Sequence, residues 1–209
     1  MHRRTFILAL ALCLFVAAPC LGQGHWQEEA GRLATLLNWH PGDAVAEIGA
    51  GNGQLTVLAA QRVGPSGKVY TTELDSTALA HLEELAATTK NITAVKAGIT
   101  DTNLPPACCD SIFMRLVYHH LTKPAQIDAS LFRSLKPGGR LAVIDEDPAE
   151  GTSVPKGVPK NRGGHGIPQK ILVTELVAAG FEVETVQNDW PGRNEEHQFY
   201  CAVFRKTKP

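Results

Sequence analysis

The sequence predicts an α/β fold, a doubly wound and mostly parallel sheet with helices on both faces. Three observations predict it. Hydrophobic runs of strand length alternate with stretches whose apolar residues recur at helical spacing. A glycine-rich turn joins the first of these strands to the helix that follows it, and Gly or Pro punctuates most helix ends.

The elements follow in order. A helix is expected over 26–37, where Trp26, Ala30, Leu33, Ala34 and Leu37 share one face before His40-Pro41-Gly42-Asp43 forces a turn. Strand 44–48 runs into the glycine turn 49–53, and helix 54–62 ends at Gly64. Strand 68–72 is followed by helix 77–88, for which Asp75 has the position of an N-cap. Strands 92–97 and 111–116 flank a connection containing Pro105-Pro106. Helix 124–135 stops at Lys136-Pro137-Gly138-Gly139, which opens strand 140–145. Residues 147–167, rich in Gly, Pro and Lys, are long for a connection in a compact domain and read as a binding loop or lid. Helix 168–179 ends at Gly180, and strands 181–187 and 198–205 complete the pattern.

With 209 residues, 44% of them hydrophobic and 20% charged, the chain is long enough for one domain with a sizeable core, and disorder, collagen and coiled coil are excluded for the whole. A formal charge of −1 offers no broad positive field, which argues against non-specific nucleic-acid binding and for a small-molecule or protein partner.

Residues 1–22 are set aside as a targeting segment: Arg3 and Arg4 precede an apolar run from Phe6 to Ala18, then Pro19 and small residues around Gly22. The run is short against the roughly 20 residues that span a bilayer, so a cleaved export signal is expected and a stable membrane span is not. Export would place the remaining domain, 23–209, in the periplasm or outside the cell. Cys20 after Ala17-Ala18-Pro19 offers a lipid-anchor alternative, and Arg3-Arg4-Thr5-Phe6-Ile7 a twin-arginine one. Beyond the signal stand Cys108, Cys109 and Cys201, an odd number with two adjacent, so no disulfide framework is expected. No metal site is assigned either, because neither His nor a further Cys stands at ligand spacing near Cys108-Cys109.

The most informative segment is Glu47-Ile48-Gly49-Ala50-Gly51-Asn52-Gly53-Gln54-Leu55-Thr56. In an open α/β sheet, ligands lie at the carboxyl ends of the strands where the chain order reverses, and this turn occupies such an end. Gln54 stands where a dinucleotide fingerprint wants its third glycine, and no P-loop lysine follows, so pyrophosphate binding is disfavoured. About 20 residues on, Glu73 supplies the acid that such folds use to accept hydrogen bonds from ribose hydroxyls.

At these residues the sequence resembles the class I S-adenosylmethionine-dependent methyltransferases. The likeness rests on the 47–53 loop, on Tyr70-Thr71-Thr72-Glu73-Leu74-Asp75, on strand 110–116 with Val117-Tyr118-His119-His120 beyond it, and on Ser134-Leu135-Lys136-Pro137-Gly138-Gly139-Arg140. The resemblance implies a Rossmann-like seven-stranded sheet with its last strand antiparallel. It also implies S-adenosyl-L-methionine as cofactor, lying over Gly49, Ala50, Gly51, Asn52 and Gly53. Glu73 would hold the ribose, and Glu47 would lie close to the methionine ammonium or organise that pocket, against the alternative of a purely structural carboxylate. Asp101 is a candidate adenine contact, with backbone groups of Ile99 or Thr100 as substitutes and a solvated loop residue as the equal alternative, since relatives place an acid directly after a glycine and here Ile99 and Thr100 intervene.

Methyl transfer from a sulfonium is an in-line displacement, so alignment supplies much of the catalysis, and a base is needed only for a protonated nucleophile. Tyr118 is expected against the cofactor. His119 and His120, beside the expected methyl position, are candidate bases; the alternative is that one stacks under the cofactor and the other caps the next helix. Glu146, among three adjacent acids ending the fifth strand, is a candidate for a cationic acceptor or a proton. His165, set among glycines in the long loop, suits a lid closing on substrate.

The leading expectation is a methyltransferase acting on a small molecule. Protein carboxyl methylation is a second, because 47–56 and Gly67-Lys68-Val69-Tyr70 also resemble the isoaspartate O-methyltransferases. A third is a non-catalytic cofactor-binding module, motivated by export away from the cytosolic supply of the cofactor. A nicotinamide oxidoreductase is a fourth, with Gln54 against it. The acceptor and the oligomeric state stay open.

Overall fold

The structure is a computed structural model that describes residues 24–191 and 198–207. The targeting segment at 1–22 lies outside the described residues. Helices α1 (Gly24–Leu37), α2 (Gln54–Val63), α3 (Ser76–Thr88), α4 (Pro124–Ser134) and α5 (Gln169–Ala178) alternate with strands β1 (Ala44–Ile48), β2 (Lys68–Glu73), β3 (Ile92–Lys96), β4 (Cys109–Arg115), β5 (Leu135–Glu146), β6 (Phe181–Trp190) and β7 (Phe199–Lys206). They form one seven-stranded sheet in the order β3-β2-β1-β4-β5-β7-β6. β7 runs antiparallel to both neighbours and the other strands are parallel, as the resemblance implied.

Strand alternation divides the core. Val45, Val69, Phe113, Ala142 and Val203 face α1 and α2, while Ala46, Ile112, Met114, Leu141, Val143 and Phe204 face α4 and α5. Asp75 caps α3 as expected, its carboxylate accepting from the amides of Thr77 (3.0 Å) and Ala78 (2.9 Å). Gly180, with φ +101°, follows α5.

Two boundaries differ from expectation by more than two residues: β6 runs to Trp190 rather than 187, and β5 begins early. Lys136-Pro137-Gly138-Gly139, expected as a turn, belongs to β5: Leu135 pairs with Cys109 and, after a register shift, Arg140 pairs with Ser111. Gly139 supplies the reason, because a Cβ there would meet the Asp110 carbonyl oxygen at 2.9 Å, so only glycine lets the strand lie this close to β4. Cys108, Cys109 and Cys201 are free thiols. Among the described residues, no helix is long and apolar enough to cross a membrane.

A buried ion pair that sequence reading did not foresee ties α1 to the sheet. Arg115 Nε, at the carboxyl end of β4, donates to Glu29 Oε1 at 2.8 Å, and Trp190 Nε1 donates to the same oxygen at 3.0 Å. The Arg115 guanidinium also stacks on Trp26 and Phe199, at 5.0 and 5.3 Å from the ring centroids.

Candidate functional site

The chain reverses its order between β1 and β4, the switch point at which open α/β sheets place their ligands. A pocket of about 280 Å³ opens there. Every strand that ends nearby contributes: Ile48 and Gly49 at the end of β1, Glu73 and Leu74 at the end of β2, Ala97, Gly98 and Ile99 after β3, and Val117, His120 and Leu121 after β4. Gly49 has φ +65°, and a Cβ on it would sit 2.6 Å from Val117 Cγ2. That position therefore needs glycine both for its backbone angle and for the close approach of the loop beyond β4.

Glu73 stands at the end of β2 with three amides around its carboxylate. Gly51 N–H donates to Oε2 at 2.9 Å, and Leu74 and Asp75 N–H donate to Oε1 at 2.7 and 3.3 Å. The acid thus fixes the glycine turn while facing the pocket. Ala50 is held by a 3.0 Å bond from its amide to the Thr72 carbonyl oxygen, so the turn is tied to β2 at two points. Asn52 and Gly53 face a separate groove shared with Trp26, Gln27 and Gln54, and Gly53 packs under Leu82 of α3.

Glu47, Asp101 and Tyr118, expected at the cofactor, do not line this pocket either. Glu47 is on the other face of β1, buried beneath α2, where the Thr56 hydroxyl donates to its carboxyl group and Thr56 and Thr71 hydroxyls lie 2.9 Å apart. The strand period is the cause: Glu47 shares a face with Val45 and Phe113, not with the pocket-lining Ile48. Burial pushes its pKa up to about 8 against the lowering effect of the Thr56 hydrogen bonds. Asp101 turns away to α4, where Arg133 Nη2 donates to both its oxygens (2.9 and 3.0 Å), Ser130 donates at 3.0 Å, and Asn103 N–H at 2.7 Å. Thr102 and Ile99 line the pocket in its place. Tyr118 is fully buried between α4 and α5, its hydroxyl bonding to Asp128 (2.9 Å) and Glu175 (3.0 Å) under the Arg162 guanidinium. It is a core residue.

The expected histidines converge. Tyr118–His120 form a short 3-10 turn that buries His119, whose Nδ1 lies 2.7 Å from Asp145 Oδ1 and whose backbone N–H donates to Oδ2 at 3.2 Å. His119 Nε2 is buried without a hydrogen-bond partner. His120 faces the pocket, and burial, together with the neighbouring His119 and His165, holds its pKa below the usual imidazole value. His165 arrives from the long loop, with ring centroids 4.6 Å from His119 and 5.1 Å from His120. The loop is anchored around it: Arg162 is fully buried and paired with Glu175 at 2.8 Å, and Ile167 N–H donates to the Glu146 carbonyl oxygen at 2.8 Å. Glu146 lies 4.0 Å from His165 Nδ1 and lines an acidic cleft of about 600 Å³ with Asp147, Glu150, Gln169 and Tyr200.

Residues 46–143 match the family model described as a methyltransferase domain. The chain is 24% identical over 128 residues to a demethylmenaquinone methyltransferase of Symbiobacterium thermophilum, an alignment covering 60% of this chain and 51% of that one. It is 34% identical over 110 residues to a ubiquinone/menaquinone biosynthesis C-methyltransferase of Francisella tularensis, covering 51% and 44%. The chain therefore spans about half the length of the curated relatives it matches. Among solved structures, an S-adenosylmethionine-dependent methyltransferase from Aquifex aeolicus superposes with a TM-score of 0.68 at 21% identity, over 85% of this chain and 89% of that one.

The chain carries a class I methyltransferase fold. Its matched segment holds the glycine turn, Glu73 and the His119-His120 pair, whereas β6, β7 and the His165 loop lie outside it. Thr102, Val117 and Leu121 line the pocket without having been singled out as contacts from their types alone. Their signal is positional, since each follows the end of a parallel strand.

Proposed function

We propose that the protein is an S-adenosylmethionine-dependent methyltransferase acting on a small-molecule acceptor. The observation that carries this reading is the pocket at the β1/β4 switch point, in which a glycine turn and a carboxylate braced by three amides face an apolar wall of Ile99, Val117 and Leu121. The carboxylate suits a ribose diol, the apolar wall suits an adenine ring, and the glycine turn admits the close approach of the rest of the cofactor. The quinone-methylating relatives support a small acceptor, and the acidic cleft on the far side of His165 offers a place for one.

The chemistry asked of the protein is modest. The sulfonium charge is consumed in the transition state, so holding donor and acceptor in line does most of the work. His120 and His165 stand between pocket and cleft, where an acceptor with an acidic proton would give it up. We further read residues 1–22 as an export signal, supported by Arg3-Arg4 followed by an apolar run.

The test is calorimetric titration with S-adenosylmethionine, S-adenosylhomocysteine and NAD, followed by a screen for transfer of labelled methyl to quinols, phenols and amines. Binding of the first two ligands and labelling of an acceptor is the expected result. Binding without transfer to any acceptor class favours the non-catalytic module, and NAD binding alone overturns the assignment. Fractionation of cells making the full chain tests export, with recovery of uncleaved protein in the cytosol as the contrary outcome.

A further inference from the structure

We infer that His119, His120 and His165 form a binding site for a single divalent transition-metal ion of the zinc class. Each imidazole offers one nitrogen, and the three nitrogens lie within 4.8 Å of one another. A tetrahedral ion with bonds of about 2.1 Å would bring them to roughly 3.4 Å apart, a contraction of the order that side-chain rotation supplies. His165 is the member free to move, with its side chain 47% exposed on a loop whose Gly163 and Gly166 have positive φ.

The second observation is the environment of His119. Asp145 Oδ1 lies 2.7 Å from Nδ1, and Asp145 is itself fixed by the backbone amides of His119 and Glu146 at 3.2 and 2.9 Å. A carboxylate accepting from one ring nitrogen sets the tautomer, so that the other nitrogen presents a lone pair. That other nitrogen, Nε2, is the atom left buried without a hydrogen-bond partner. An imidazole lone pair sealed from water and facing two more imidazoles is costly unless something binds it, and a cation does.

The donor set selects the ion. Three neutral nitrogens suit zinc, cobalt, nickel or copper, whereas magnesium and calcium require oxygen ligands. Three protein ligands leave a further position for water or for an oxygen or sulfur atom of an acceptor, the composition of a reactive centre rather than a structural one. With the ion bound, the His120 lone pair is committed, and lowering the pKa of a ligand at that further position falls to the metal. The site goes beyond the methyltransferase reading and stands without it.

Sequence spacing hid this constellation, which is why no metal site was expected. His119 and His120 lie in the turn after β4, and His165 comes from the loop after β5. The parallel pairing of β4 with β5 sets the two strand ends side by side, and the bond from Ile167 N–H to the Glu146 carbonyl oxygen and the Arg162–Glu175 pair hold the loop over them.

The experiment uses untagged full-length protein, stripped with chelator and titrated with Zn²⁺, Co²⁺ and Mg²⁺. The expected result is a single equivalent of zinc, the visible bands of nitrogen-coordinated Co(II), and no response to Mg²⁺. His120→Ala and His165→Ala, both at accessible positions, should weaken zinc at least tenfold, and Asp145→Asn should weaken it about 10- to 100-fold. Circular dichroism confirms folding, and since His119→Ala sits in the core, the two accessible variants carry the decision. Absence of saturable zinc binding, or affinity unchanged in both accessible variants, overturns the site. S-adenosylhomocysteine titration in parallel separates the two readings: zinc without the nucleoside leaves this site standing and removes the cofactor assignment, and the reverse result does the opposite.

Discussion

Glu73 and Gly51 are joined by a 2.9 Å hydrogen bond from the Gly51 amide to Oε2, so the acid that would hold a ribose also holds the turn beneath it. The two roles are inseparable in a substitution. Glu73→Ala removes the acceptor for Gly51, Leu74 and Asp75 together, and with it a charge-assisted contact worth about 1.5–3 kcal/mol. S-adenosylhomocysteine binding should weaken by about 10- to 100-fold in calorimetry. Glu73→Gln keeps one acceptor oxygen but turns an NH2 group towards an N–H donor, so it should fall between the alanine variant and wild type. An unchanged dissociation constant in Glu73→Ala would remove the ribose assignment.

Glu47 predicts a pH dependence of stability. Its pKa is raised from 4.5 to about 8 by burial; the groups around it are the Thr56 and Thr71 hydroxyls, Glu29, which raises it, and Arg115, which lowers it. Between those two values the folded state binds a proton that the unfolded chain releases. Stability is therefore lost as pH rises through this window, with a slope approaching 1.4 kcal/mol per pH unit from this one group. Glu47→Gln should match wild type near pH 4 and exceed it in urea midpoint near pH 9. A stability difference that does not change with pH would show that Glu47 titrates normally.

Much of the fold was legible because each element declares itself locally. Apolar runs, the Asp75 cap and the glycines after helices need no tertiary knowledge, and element boundaries fall within a residue or two except where Gly139 lets β5 begin early and where β6 runs on to Trp190. The site was legible where chemistry is local, in the glycine turn and Glu73. It was not legible where facing decides. Glu47 has the type and position of a ligand contact, yet the period of two places it under α2. Asp101 is diverted by Arg133, a partner from α4 that no local pattern announces. His165 meets His119 because the loop after β5 folds back over the end of β4.

Tyr118 gives a test that separates core from site. Its hydroxyl serves two carboxyl groups, and burial pushes the Asp128 pKa up to about 7. Tyr118→Phe removes the one O–H that Asp128 and Glu175 share, in a region where Asp128 Oδ1 already lacks a partner. The expected loss is about 1–3 kcal/mol in urea denaturation with no change in S-adenosylhomocysteine affinity. A loss of affinity at unchanged stability would return Tyr118 to the cofactor pocket.

The Glu29–Arg115 pair makes the sharpest stability prediction, because both partners lie at the junction of α1 with the sheet. The side chains of Glu29 and Arg115 are 1% and 13% exposed, and Arg115 Nη2 has no partner of its own. Removing one charge strands the other, and stranding a buried charge costs more than the intact pair contributes. Glu29→Gln should therefore destabilise by about 3 kcal/mol, and it also weakens the bond from Trp190 Nε1. Replacing both partners with methionine removes the desolvated charges together, so the double variant should be more stable than Glu29→Gln alone. Urea titrations followed by tryptophan fluorescence decide it, since Trp26 and Trp190 both border the pair. A double variant less stable than Glu29→Gln would mean that the pair is worth more than its burial costs, and that α1 is held chiefly by charge rather than by Ala30, Leu33 and Leu37.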